Sequence, residues 1–116
     1  MPRKRPPDQE FARTVALALP ETTEASHMGR PDLRVRNKIF ATLPQDGRSV
    51  NLKVTPVNLD ALTSARPATF ADVWDGRWMG VTLANIERAE LRDLVIDAWK
   101  LAAPKRLVAA YEKDNS

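Results

Sequence analysis

The chain predicts an α+β domain in which an antiparallel sheet carries helices packed on one face. Three observations support this. Polar and apolar residues alternate through much of 32–54 and 70–83, apolar residues recur at helical spacing near both ends, and too few helices separate the strands for a parallel sheet. With helices on one side, the other face of the sheet is expected to be open to solvent.

Residues 1–7, Met-Pro-Arg-Lys-Arg-Pro-Pro, read as a flexible basic arm, because proline fixes φ and removes backbone donors. Asp8 reads as an N-cap, with Gln9 and Glu10 in a first turn that favours negative charge. Phe11, Val15 and Leu19, with Ala12 and Ala16 beside them, form one stripe on a helix of about three turns that ends at Pro20. From Glu24 to Val54 the period changes: Asp32-Leu-Arg-Val-Arg alternates polar and apolar, Asn37-Lys38 supplies a turn, and Lys38-Ile-Phe-Ala-Thr-Leu returns as a hairpin. A two-residue and a three-residue loop both fit that turn, and a slip of one residue would exchange the faces. Gln45-Asp-Gly-Arg is the next turn, followed by a strand with Val50, Leu52 and Val54 inward.

Thr55-Pro56 is a helix start, a hydroxyl cap followed by proline at the first helical position. The short helix is expected to use Val57, Leu59 and Leu62. Asp75-Gly76 joins Phe70–Trp74 to a strand through Leu83 as a second hairpin. A long helix follows from about Arg88 to Ala102, with Leu91, Leu94, Val95, Ala98 and Leu101 as its buried stripe and Trp99 beside it. Pro104 breaks that helix, and Lys105–Lys113 reads as a short final one. One folded domain over 8–113 is expected, with 114–116 as a polar tail.

With 43% hydrophobic residues, the chain can fill one modest core. It contains no cysteine, which excludes disulfides, thiolate metal sites and cysteine nucleophiles and points to a reducing compartment. The basic start is not followed by an apolar stretch, so it does not read as a secretory signal, and no apolar run suits a bilayer. The cytoplasm is the expected location, with no membrane partner.

Charge is informative by position. Of the 18 basic residues, Arg3, Lys4 and Arg5 account for the whole excess, so the remaining 15 balance 15 acidic ones. Within the balanced part, Arg30, Arg34, Arg36, Lys38, Arg48 and Lys53 meet only Asp32 and Asp46 over the same stretch. Such a stripe on a neutral body is a candidate phosphate-binding footprint. The alternative is a solvated sheet whose arginines protect it from edge-to-edge association. Trp74 and Trp78 bracket the second hairpin turn, either as a cross-strand pair or as a surface that stacks on a base or partner.

Catalytic readings are weak. The four glycines have no phosphate-loop or dinucleotide spacing. His27, the one histidine, cannot assemble a zinc site with scattered carboxylates. It is read instead as ordering a turn with Gly29 and Pro31 rather than as a base oriented by Glu24 or Asp32. No enzyme activity, cofactor or metal is expected.

Leu19-Pro-Glu, the run Ser26-His-Met-Gly-Arg-Pro-Asp-Leu-Arg-Val-Arg-Asn-Lys-Ile-Phe-Ala-Thr-Leu and Asn51-Leu-Lys form one group of motifs. Trp74-Asp-Gly-Arg-Trp-Met-Gly-Val, Glu90-Leu-Arg-Asp-Leu-Val, Ala98-Trp99 and Ala103-Pro104-Lys105-Arg106 form a second. Together they resemble MmcQ/YjbR-like proteins from Phe11 to Leu107. The resemblance implies a frataxin/CyaY-like antiparallel sheet backed by helices and a DNA-binding role, with no cofactor or reaction. Arg36-Asn37 departs from the glycine-containing turn that relatives often place there. DNA is therefore the expected partner, bound through its backbone with little sequence preference. The alternative is a protein-interaction or small-ligand domain that uses the open face and the Trp74/Trp78 hairpin.

Overall fold

The computed structural model describes residues 5–115, apart from the side chain of His27. Arg3 and Lys4 of the expected arm lie outside the described residues, as do the side-chain roles weighed for His27. Arg5 and Pro6 are exposed, and Pro7 is already buried.

Helix α1 (Gln9–Leu17) begins where the Asp8 carboxylate accepts a hydrogen bond from the Phe11 amide at 2.8 Å. This satisfies a donor that the helix itself leaves free. Ala12 and Ala16 are its buried residues, flanked by partly buried Phe11 and Val15. Six strands follow: β1 (Thr22–His27), β2 (Arg30–Val35), β3 (Lys38–Thr42), β4 (Ser49–Lys53), β5 (Phe70–Trp74) and β6 (Trp78–Thr82). They form one antiparallel sheet in the order β1-β2-β3-β4-β6-β5.

Strand β1 has no counterpart among the sequence expectations. Thr22-Thr-Glu-Ala-Ser-His is an edge strand without a fully buried side chain among those described, so it lacks the apolar alternation that reveals a strand. Its turn is narrower than the expected His27–Pro31 bend. Met28 (φ 53°) and Gly29 (φ 78°) form it, while His27 pairs with Arg30 and Pro31 lies within β2.

The β2–β3 hairpin resolves the open register in favour of a two-residue loop. Val35 pairs with Lys38, and Arg36 (φ 47°) and Asn37 (φ 68°) both take the left-handed conformation. That is the backbone of a type I′ turn, whose twist matches the flanking strands, and asparagine tolerates it. Further along, a bulge makes Phe40 the extra residue, since Arg34 pairs with Ile39 but Leu33 pairs with Ala41. This restores alignment of the buried residues Leu33, Ala41, Leu52 and Met79 across four strands.

Helix α2 (Pro56–Ala65) is capped by Thr55, whose hydroxyl accepts from the Asn58 amide at 3.3 Å. Leu59 is buried and Leu62 partly so, but Val57 is exposed, contrary to expectation, because it sits in a first turn that nothing covers. Strand β6 stops at Thr82, and Leu83–Asn85 tighten into a short 3₁₀ turn. Helix α3 (Arg88–Ala102) lies on the inner face of the sheet with Leu91, Val95, Ala98, Trp99 and Ala102 buried. Leu94 is partly buried, and Leu101 remains 43% exposed, since the buried stripe centres on Trp99. Helix α4 (Lys105–Asp114) folds back after Pro104.

Trp99 ties these pieces together. Its Nε1 donates to the Pro20 carbonyl at 3.2 Å, and its ring meets Tyr111 edge-on, with centroids 5.2 Å apart. Trp99→Phe should therefore cost about 2–4 kcal/mol, combining lost packing with the loss of one hydrogen bond across the helices. Urea denaturation checks this. At the hairpin tip, Asn37→Val should cost about 1–2 kcal/mol through left-handed strain, whereas Asn37→Gly should be tolerated. Comparative thermal melts of the two variants decide the point.

Candidate nucleic-acid interface

Directly opposed residues on antiparallel strands share a face. Ala25, Asp32, Thr42, Asn51, Gly80 and Ala71 form one continuous row of register partners across the sheet. The adjacent row is buried beneath the helices, so this row lies on the open face. It is built of short side chains. A Cβ on Gly80 would stand 2.8 Å from Cγ1 of Val73, which places Val73 over the glycine. The irregularity between Asp72 and Trp74 makes Val73 the unpaired residue of β5.

Towards one end of the sheet, Lys53 pairs with Trp78, and Trp78 pairs with Trp74. Trp78 is half-buried, whereas Trp74 is 70% exposed. The Asp72 carboxylate accepts from the amides of Trp74 and Gly76, both at 3.1 Å, and holds this hairpin tip. The Arg36-Asn37 and Asp75-Gly76 turns lie at the same end, with Lys38 and Arg77 beside them. Arg30 and Arg48 lie at the opposite end. The structure therefore does not gather the six candidate cations into one patch.

Ion pairing separates them further. Asp32 is buried although it belongs to the open face, because Arg34, two residues along the same strand, covers it. Arg34 Nε and Nη2 donate to the two Asp32 oxygens at 2.7 and 3.1 Å. Arg36 binds both oxygens of Glu21 at 2.8 and 3.2 Å. These hydrogen bonds raise the pKa of each arginine, and the Arg36 bond lowers that of Glu21. Arg30, Lys38, Arg48, Lys53 and Arg77 form no ion pair among the described residues. Arg77 was not singled out by the sequence reading. Its position in the turn between the two tryptophans was the available signal.

Of the strand residues on the open face, the single carboxylate is thus cancelled by Arg34, leaving Arg30 and Lys53 uncompensated. Such a surface can accept phosphates at the free cations and a flat ring at Trp74. Among the described residues, no group of three or more His, Cys, Asp or Glu is placed to hold a metal ion, and no helix is long and apolar enough to cross a membrane. Removing Arg34 exposes its structural role. Arg34→Met should lower the stability of the fold, because it strands a buried carboxylate. Asp32→Asn in the same background should recover much of that loss in chemical denaturation.

The YjbR family model matches residues 17–101, which include all six strands, α2 and nearly all of α3. A Deinococcus radiodurans protein carrying the DUF419 domain has a similar structure, with a TM-score of 0.68 at 23% identity over 77% of this chain and 73% of that one. A Pseudomonas syringae protein is similar with a TM-score of 0.60 at 17% identity, covering 88% of this chain and 99% of that one. No curated protein matches the chain. At these identities the two structures speak to the fold alone, but the family match runs through the buried rows of the sheet and the helix that covers them: the chain belongs to the YjbR family.

Proposed function

We propose that this protein is a DNA-binding module that uses the open sheet face and holds the phosphate backbone with little sequence preference. The observation that carries the reading is the sequence of register partners Lys53, Trp78 and Trp74, an uncompensated cation beside two tryptophans on a face whose own carboxylate is neutralised. Arg77 and Arg30 add free cations at the margins, and Lys38 adds one at the hairpin end, although its register places it with Val35 on the inner side. Arg34 and Arg36 then serve mainly to position the face, since their guanidinium forks are already occupied.

The geometry adds a preference. A base reaches the exposed ring of Trp74 by stacking only when it is unstacked from its neighbours, which favours single-stranded over duplex DNA. No helix presents itself for insertion into a groove, so the contacts come from strands and turns. In this reading the protein is a cytoplasmic binding module without catalytic activity or cofactor. A second reading, a protein contact at the same place, draws support from the adjacent exposure of Val73 and Trp74 on edge strand β5.

Fluorescence anisotropy of a labelled oligothymidylate and a matched duplex, titrated with NaCl, tests the proposal. Tighter binding of the single strand and a steep loss of affinity with salt are expected. Trp74→Ala should weaken binding by about tenfold, as for loss of one stacked base, and Lys53→Gln should flatten the salt dependence. Absence of any complex at low ionic strength would sink the reading and leave the protein contact as its successor.

A further inference from the structure

We infer that the recess between α1, α3 and α4 is a binding site for a small apolar monocarboxylate, held at its charged end by Arg88 and Arg92. The recess lies among the helices, away from the open sheet face, and the inference does not depend on DNA binding. Its volume is about 530 Å³, within the range of about 300–1,000 Å³ usual for small-molecule sites. Phe11, Val15, Ile96 and Tyr111 supply apolar walls, and no acidic side chain lines it.

Arg88, Arg92 and Ile96 follow one another at intervals of four on α3, so they share a face. Both arginines are exposed, and neither forms an ion pair among the described residues. The Arg88 guanidinium stands 5.8 Å from the centroid of the Phe11 ring, a cation–π contact that holds it at the mouth of the recess. Two like charges one turn apart repel, and a carboxylate between them relieves the repulsion while matching their fork geometry.

The far side sets the selectivity. Beyond Ile96 and Tyr111 the surface continues into a depression lined by Asp93, Asp97 and Glu112, with Lys100 beside them. Burial raises the pKa of Asp97 against the opposing pull of Lys100, with a smaller upward contribution from Asp93. Lys100 pairs with Glu112 at 3.4 Å, which leaves Asp93 and Asp97 in excess at this end. A ligand is therefore oriented with its anion at Arg88 and Arg92 and its apolar body towards Tyr111. A second anionic group at the apolar end would meet the carboxylates. The α4 wall lies beyond residue 101, where the family match ends.

The test uses the full chain and 4-phenylbutyrate, followed by ¹H–¹⁵N correlation spectra, with 4-phenylbutanol and the dianion suberate as comparisons. The expected result is saturable shifts of α1, α3 and α4 amides with 4-phenylbutyrate and weaker binding of both comparison compounds. Arg88→Gln/Arg92→Gln, with an unchanged circular dichroism spectrum, should weaken binding at least about tenfold, the loss expected for one charge-assisted contact. Arg92→Gln alone, which keeps the Arg88–Phe11 contact, should give part of that loss, and Lys105→Gln on exposed α4 should give none. Absence of shifts at millimolar 4-phenylbutyrate overturns the site. Equal binding of the alcohol, or indifference to both arginine variants, overturns the anion recognition, and equal binding of suberate overturns the preference for one charge.

Discussion

The arrangement depends on Trp99. Its ring is fully buried on α3, its Nε1 reaches the carbonyl of Pro20 where the chain leaves α1, and its edge receives Tyr111 from α4. One side chain thus joins three helices, and it does so on one side of the sheet. A large aromatic with a polar handle suits this position because it fills volume and still satisfies its donor. Once those helices are held together, the sheet has a covered face and an open one.

The one-sided cover has an electrostatic consequence. A charged row at the centre of the inner face would be desolvated without partners, so the inner positions of β2, β3, β4 and β6 beneath the helices are aliphatic or aromatic, and the inner-row carboxylates Glu24 and Asp72 lie on the edge strands β1 and β5. Asp32 is the exception in burial. It lies outside the core, yet Arg34 folds over it and removes it from water. The stretch from Arg30 to Lys53, the most basic part of the folded chain, is consequently weaker as a field than its composition implies. Near the tryptophans, Lys53 and Arg77 keep their charge unpaired among the described residues.

The two proposed sites use opposite sides of the molecule for different chemistry. The open face combines short side chains, free cations and an exposed ring, which suits an extended, charged and repetitive ligand. The recess among the helices is concave, apolar and charged at one end, which suits a compact ligand with a defined orientation. The YjbR family match spans the sheet, α2 and most of α3, while α1 and α4 supply the other walls of the recess.

Much of this was legible in the residues. Asp8 and Thr55 as caps, Pro104 as a breaker and the periodicity of α3 depend on local backbone chemistry, which a short stretch of sequence carries by itself. Strand β1 was not legible, because an edge strand with little to bury leaves no apolar pattern. Nor was the exposure of Val57 and Leu101, which depends on whether another element covers them. For the site, the sequence could set Trp74 opposite Trp78 across the hairpin turn but could not bring Lys53 beside them, because strand order places β6 next to β4 across an intervening helix and strand. Apart from β1, the sequence by itself determined the helices and strands and the one-sided α+β class, since these follow from periodicity and capping. Tertiary structure alone decided which cations are free and which tryptophan faces water, since ion pairing and exposure are set by register and by neighbours distant in the chain.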